Sequence, residues 1–207
     1  MSLHCPAVLY VARHGDAVYD QGHGILSDAG GTLSETGRAQ VATLAAALAE
    51  KRIGAVHTSV MTRAAESGAL AAAALGVPHR QLAGLEEWRV GDLAGRSIND
   101  PAVQEIFGAW LNGNLHARIP GAESGAEIVA RYREALEAIA DQHRGENVLI
   151  FSHGGVMSLV LPLIAINLTN DHARGRYLPN AVPAIVEAGD DGWFVREWPG
   201  KQDKSVV

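Results

Sequence analysis

The sequence predicts a three-layer α/β/α sandwich around a mostly parallel central sheet, and three observations lead there. Short apolar runs rich in strand-forming residues begin at Val8, Ile53 and Val148, each bounded by a turn signal. Each is followed, directly or after a loop, by a segment with apolar residues at helical spacing. Strands that alternate with helices build a parallel sheet with helices on both faces. The composition supplies the core: of 207 residues, 47% are hydrophobic and 19% charged, which suits one domain and excludes disorder.

Taken in order, the run from Val8 to Ala12 reads as a buried strand that stops at Arg13-His14-Gly15. Open α/β folds place their ligands at the carboxyl ends of such strands. Gly15 is expected to let the backbone turn sharply and approach a ligand. Residues 16–32, rich in glycine and aspartate, read as a loop over that edge. Ser34 is the expected N-cap of a helix whose Val41, Leu44 and Leu48 pack inward. A second strand spans Ile53 to Thr58, and the helix after it carries Arg63 and Ser67 and closes near Gly76.

Leu82 to Gly95 is an acidic, aromatic loop holding Glu86, Glu87, Trp88 and Arg89. Residues 96–121 read as short helical pieces alternating with glycines, an insertion placed to cover a substrate. Ser124 and Glu127 have capping-box spacing and open a helix with Ile128, Tyr132, Leu136 and Ile139 on one face, ended by Gly145. Val148 to Phe151 is a third buried strand, and it stops at Ser152-His153-Gly154-Gly155 before another apolar helix. Val182–Glu187 and Trp193–Trp198 form a closing hairpin, followed by a frayed tail at 199–207.

The formal charge is −6, from 17 basic and 23 acidic residues, with no basic stripe, which argues against a nucleic-acid partner. Cys5 is the only cysteine, so no intrachain disulfide can form and a reducing cytoplasm fits. No charged leader precedes the first strand, and the apolar run from Val156 to Ile166 contains Pro162 and falls short of the ~20 residues that span a bilayer. A cytoplasmic protein without a membrane partner is the expectation.

Two predicted strands end in a histidine followed by glycine. If those strands are neighbours, His14 and His153 face one pocket, and Arg63 approaches the same edge. A neutral imidazole can attack an electrophile covalently, and guanidinium groups fork onto phosphate oxygens at any working pH. Two arginines and two histidines at one edge suit a tetrahedral oxyanion.

At this point the sequence resembles the histidine phosphatase superfamily, also called phosphoglycerate mutase-like. Arg13-His14-Gly15 is similar to its signature, and Leu33-Ser34-Glu35-Thr36-Gly37-Arg38-Ala39-Gln40 to its first-helix motif. Ser59-Val60-Met61-Thr62-Arg63-Ala64 resembles the segment with the second arginine, and Glu87 falls at the acid position. Pro120-Gly121-Ala122-Glu123-Ser124, Ser152-His153-Gly154-Gly155 and Pro179-Asn180-Ala181 match later motifs. Each segment alone is a weak signal; together, in order, they cover nearly the whole chain.

The resemblance implies a phosphoglycerate mutase-like sandwich and a phosphohistidine mechanism. His14 would attack phosphorus, while Arg13, Arg63 and His153, with Gly154, would bind the phosphoryl oxygens. Glu87 would protonate the leaving oxygen and later activate water, although the adjacent Glu86 could serve instead. No cofactor and no metal is implied, and the histidines lack metal-site spacing such as His-Glu-x-x-His. Trp88 reads as loop packing, His57 as a structural histidine, and His23, His116 and Arg118 as surface residues of the cover regions. Glu123 reads as helix-end structure. Asp16 and Asp20 depart from the pattern of phosphoglycerate-binding members, and an aspartate at 20 would repel phosphate unless turned away.

Loop 16–32 contains no Lys or Arg, and 96–121 offers only Arg96 and Arg118. So few cations favour hydrolysis of a small phosphorylated metabolite over retention of a second phosphate. A cofactor-dependent phosphoglycerate mutase and a non-catalytic phosphate-binding module are the alternatives. Homodimerisation through an exposed sheet edge is compatible with such folds, but no residue requires it.

Overall fold

In the computed structural model, which describes residues 5–20, 22, 24–28 and 30–200, the chain forms β1 (Ala7–Arg13), β2 (Ala17–Val18), β3 (Thr32–Leu33) and α1 (Glu35–Leu48). There follow β4 (Ile53–Thr58), α2 (Thr62–Leu75), β5 (His79–Gln81), α3 (Pro101–Leu111), α4 (Gly125–Gln142) and β6 (Asn147–Ser152). The last elements are α5 (Gly154–Ile164), β7 (Pro183–Gly189) and β8 (Gly192–Glu197). His23 and tail residues 201–207 lie outside the described residues.

Six strands share one sheet in the order β5-β4-β6-β1-β7-β8. β5, β4, β6 and β1 are parallel, and β7 runs antiparallel to β1 and β8. Side chains alternate between faces with the two-residue strand period. Leu9, Val11, Val148 and Ile150 pack on one face with Ile128, Tyr132, Leu136 and Ile139 of α4 and Val156 and Val160 of α5. Tyr10, Ala12, Leu149 and Phe151 pack on the other with Val41, Leu44 and Leu48 of α1 and Ala64 and Ala71 of α2. A sheet covered on both faces is what near-continuous apolar strands require. Burying Ile128, Leu136 and Ile139 contributes ~1.5–3 kcal/mol apiece.

Local signals explain most element ends. Ser34 Oγ accepts from Gly37 N at 3.0 Å, and Ser124 and Glu127 form the reciprocal capping box of α4. Gly76 closes α2 at φ 68°, where a Cβ would be strained.

Several expectations are corrected. Residues 96–121 contain a single three-turn helix, α3, with Asp100 as its N-cap and Pro101 in its first turn, flanked by turns rather than made of alternating short helical pieces. α4 ends at Gln142 with His143 as its cap, and Gly145 lies in the turn beyond it. The loop at 16–32 is pinned by the two-residue β2–β3 ladder. The edge strand β5, too short and polar to signal itself, went unpredicted. Gly15 does not serve ligand approach: a Cβ there would sit 2.6 Å from the Gly37 carbonyl oxygen. The glycines of the first two motifs let two backbones cross.

Candidate active site

Parallel pairing of β1 with β6 sets Arg13 opposite Ser152, so His14 and His153 leave adjacent strand ends. Their ring centroids are 5.3 Å apart. β4 ends beside them, where Ser59 Oγ lies 2.7 Å from His153 Nε2. In the first turn of α2, Arg63 reaches back to the same point, and its Nε donates to His14 Nε2 at 3.0 Å.

The hydrogen bonds assign the His14 tautomer. The Gly15 carbonyl can only accept, so Nδ1 carries the proton and donates to it at 2.7 Å. Nε2 therefore holds the lone pair that faces Arg63. Burial above all, then the Arg63 and Arg13 charges, hold the His14 pKa down to about 3 against the pull of the Gly15 bond. The ring is neutral at neutral pH. Its backbone is gripped on three sides: His14 N donates to Ser152 O at 3.0 Å, Asn180 Nδ2 to His14 O at 2.8 Å, and Gly15 N to Ser67 Oγ at 3.1 Å.

Arg63 is 5% exposed, and burial lowers its pKa while Tyr19 and Glu87 oppose that shift. His153 is fully buried beneath the pocket, and burial first, then Arg63, holds it well below the usual histidine value. Arg63 Nη1 and His153 Nδ1 find no hydrogen-bond partner among the described residues. Arg13 donates from Nη1 to the Tyr177 hydroxyl, and its guanidinium carbon sits 5.2 Å from that ring's centroid.

The structure separates the two adjacent glutamates. Glu87 lines the cavity, and its carboxylate accepts from Gly155 N at 2.8 Å and Val156 N at 2.7 Å, at the N-terminus of α5. Glu86 accepts from Gly84 N at 2.7 Å and lies 3.9 Å from Arg131, away from that cavity. Arg131 of α4 fastens the whole loop, donating to the carbonyls of Gly84, Glu86 and Glu87 at 2.9, 2.9 and 3.1 Å. Glu123 holds that guanidinium through Nε at 2.6 Å, so its helix-end role is to position Arg131. Gly155 must be glycine because a Cβ would run into Trp88 Nε1 and lie 2.8 Å from Glu87 Oε1.

Arg13, His14, Arg63, Glu87 and Gly154 thus share the floor of a cavity of about 350 Å³. Trp88 both packs in the core and lines it. Tyr19, Gln104, Phe107, Ser158 and Tyr177 also line it and were missed by sequence reasoning. Only Tyr177 had a signal, its place just before Pro179-Asn180-Ala181. The peripheral residues lie elsewhere. Asp16 Oδ2 accepts from Ser34 Oγ at 2.6 Å, Asp20 and His116 are exposed, Arg118 pairs with Glu127 at 2.8 Å, and His57 contacts His143 at 3.0 Å. Among the described residues no group of three His, Cys, Asp or Glu is placed to share a metal ion. Nor is any helix among them long and apolar enough to cross a membrane.

Comparison with known proteins agrees with this geometry. A metal-independent phosphoserine phosphatase of Arabidopsis thaliana is 30% identical over 204 residues, covering 96% of this chain and 84% of that one. Phosphoglycerate mutase-like protein 4 of the same plant is 30% identical, over 73% and 68% of the two chains. A mycobacterial glucosyl-3-phosphoglycerate phosphatase has the same fold at TM-score 0.77 and 20% identity, over 95% and 100% of the chains. So does a phosphoglycerate mutase of Bacillus anthracis, at TM-score 0.78 and 19% identity, over 95% and 94%. A sequence profile of the histidine phosphatase superfamily (branch 1) matches residues 9–200, and the chain belongs to that superfamily.

Proposed function

We propose that this chain is a phosphomonoester hydrolase that works through a phosphohistidine on His14, without a metal, on a small phosphorylated metabolite. The observation that carries the reading is the neutral His14 Nε2, oriented by Gly15 and facing Arg63 on the cavity floor. The relative named a metal-independent phosphoserine phosphatase supports it from the family side.

In this reading the Nε2 lone pair attacks phosphorus in line while the ester P–O bond breaks. Arg13 and Arg63 neutralise the phosphoryl oxygens, with Gly154 at their edge and His153 supporting from below. Glu87 gives a proton to the leaving oxygen. Its carboxylate then takes a proton from water, the hydroxyl attacks phosphohistidine, and phosphate leaves with His14 restored. The position of Glu87 on the cavity, against that of Glu86 under Arg131, favours Glu87 as the acid.

A single domain with residues 96–121 as substrate cover is part of the proposal, supported by Ile98, Val103 and Phe107 on the cavity wall. Mutase-like relatives make phosphoglycerate mutase the second reading. Arg96 pairs with Asp100 at 3.3 Å and Arg118 with Glu127, and neither lines the cavity, so hydrolysis is favoured over retention of a second phosphate. Cytoplasmic residence rests on the single cysteine, Cys5. A homodimer would have to use the open edge of β8, since β5 offers only three residues.

The test is phosphate release from p-nitrophenyl phosphate between about pH 5 and 8 with EDTA, for wild type and His14→Ala. Turnover should survive EDTA, vanish in the variant by about 10⁴-fold or more, and leave one phosphoryl mass on acid-quenched wild type. Because His14 titrates near 3, its protonation should put no step in the rate across that range. Activity retained in His14→Ala overturns the nucleophile, and stable binding of phosphate esters without turnover makes the chain a binding module.

A further inference from the structure

Among the described residues the cavity carries charge at one end only. Its charged lining residues are Arg13, Arg63 and Glu87, gathered at the floor with the neutral His14. Above them the walls are Tyr19, Trp88, Ile98, Val103, Phe107, Tyr177 and Leu178, with Gln104 and Ser158 as the neutral polar groups. A second cavity of about 370 Å³ continues toward the 16–32 loop and adds Ile25, Leu26, Ser27, Met61 and Val90 but no further charge among the described residues. The basic residues of the cover are engaged outside the cavity, Arg96 on Asp100, Arg118 on Glu127, and Arg174, beyond the cover, on Asn112 Oδ1 at 2.7 Å.

A leaving group that carried a carboxylate or a second phosphate would be stripped of water here without a counter-ion. That desolvation is expensive for an unpaired charge. An apolar body would instead remove aromatic and aliphatic wall from water and gain from burial. Neutral polar atoms on it could meet Gln104 or Ser158. Pockets of this size and lining hold small molecules by an apolar body and a few placed polar groups.

We infer that the substrate class is the phosphate monoester of a predominantly apolar alcohol, with a ring or similar flat body and no second anionic group. The inference rests on the phosphohydrolase reading of the same floor and adds what the leaving group must be. It sets this chain's preference apart from phosphoserine and phosphoglycerates, whose carboxylates would find no counter-ion among the described wall residues.

The test uses wild-type protein and esters of alcohols, so that intrinsic leaving-group reactivity is similar across the set. Hydrolysis of 2-phenylethyl phosphate is compared with that of phosphoserine and 3-phosphoglycerate by kcat/KM. In parallel, calorimetry compares 3-phenylpropylphosphonate, whose P–C bond resists hydrolysis, with the phosphonate analogue of phosphoserine. The phenyl compound should be preferred by about tenfold or more in both measurements. Phe107→Ala should lower each ratio about fivefold by removing part of the wall. Equal or better turnover of phosphoserine or 3-phosphoglycerate overturns the inference and leaves the phosphatase reading standing. Preferential binding of the phenyl phosphonate with no turnover of any ester does the reverse. Binding of neither phosphonate overturns both.

Discussion

His14, at the floor of the pocket, is 3% exposed and held by backbone hydrogen bonds from β6, Asn180 and Ser67, whereas Tyr177, at the rim, is 67% exposed on an irregular segment. Arg13, His14 and Arg63 come from the end of β1 and the first turn of α2, elements anchored in the cores, while Glu87 stands on a loop that Arg131 fastens to α4. Apart from Ser158 of α5, the walls come from loops and from α3, where Tyr177 and Ile98 are exposed. Groups that must meet phosphorus within a fraction of an ångström stand on the rigid part. Groups that need only present a surface stand on parts that can be replaced without unfolding the sheet. The chemistry and the selectivity of this pocket are therefore separable, and mutations should sort by which end they touch.

The largest effects that sharpen this contrast should come from Glu87. Glu87→Gln is expected to lower kcat by about 10²–10⁴-fold on esters of poor leaving groups, while Glu86→Gln should cost far less. Steady-state kinetics on both variants decides it, and comparable losses would mean that the loop shifts to let either residue serve.

Arg131 lies outside the cavity floor yet ties three carbonyls of the Glu87 loop to α4. It is a positioning residue. Arg131→Met should reduce kcat about tenfold with KM little changed and should move the pH profile, because the acid is misplaced while Arg13 and Arg63 still bind phosphate. A loss of thermal stability with an unaltered pH profile would reduce Arg131 to a structural tie. The variant leaves Glu123 without its ion-pair partner and with only the Arg89 N–H to bond, so some stability loss is expected in either case.

Smaller, and spread over the molecule, is the effect of acid. His14 and His57 titrate at about 3 and about 4 in the folded chain, chiefly through burial, against about 6.5 when unfolded. Between those values the unfolded state binds more protons, so stability rises with pH. Melting temperature should therefore fall as pH drops from about 6.5 toward 4, and a flat profile would show that the two rings are more solvated than their burial implies. Removing a surface ion pair tests the bottom of the scale. Arg118→Ala should change stability by less than about 1 kcal/mol and leave kcat/KM unchanged, since the pair with Glu127 is exposed and remote from the cavity.

What the sequence determined by itself has local causes. The strand periods, the Ser34 cap, the Ser124–Glu127 capping box and the Gly76 stop depend on residues a few positions apart, and they place most element boundaries correctly. Arg13, His14, Arg63 and His153 were legible because strand ends and a helix start carry them to one edge, and family motifs marked the same positions. What only the tertiary structure decided depends on distant partners. The pairing of β1 with β6 brought His14 to His153 from 139 positions away in sequence (153 minus 14). Arg131 and the α5 N-terminus set two chemically identical neighbours, Glu86 and Glu87, in different surroundings. Gly15 met Gly37 rather than a ligand, and the fold of α3 over the site put Gln104 and Phe107 into the wall. None of these can be read from spacing, because a loop's burial and contacts are set by the surface it packs against.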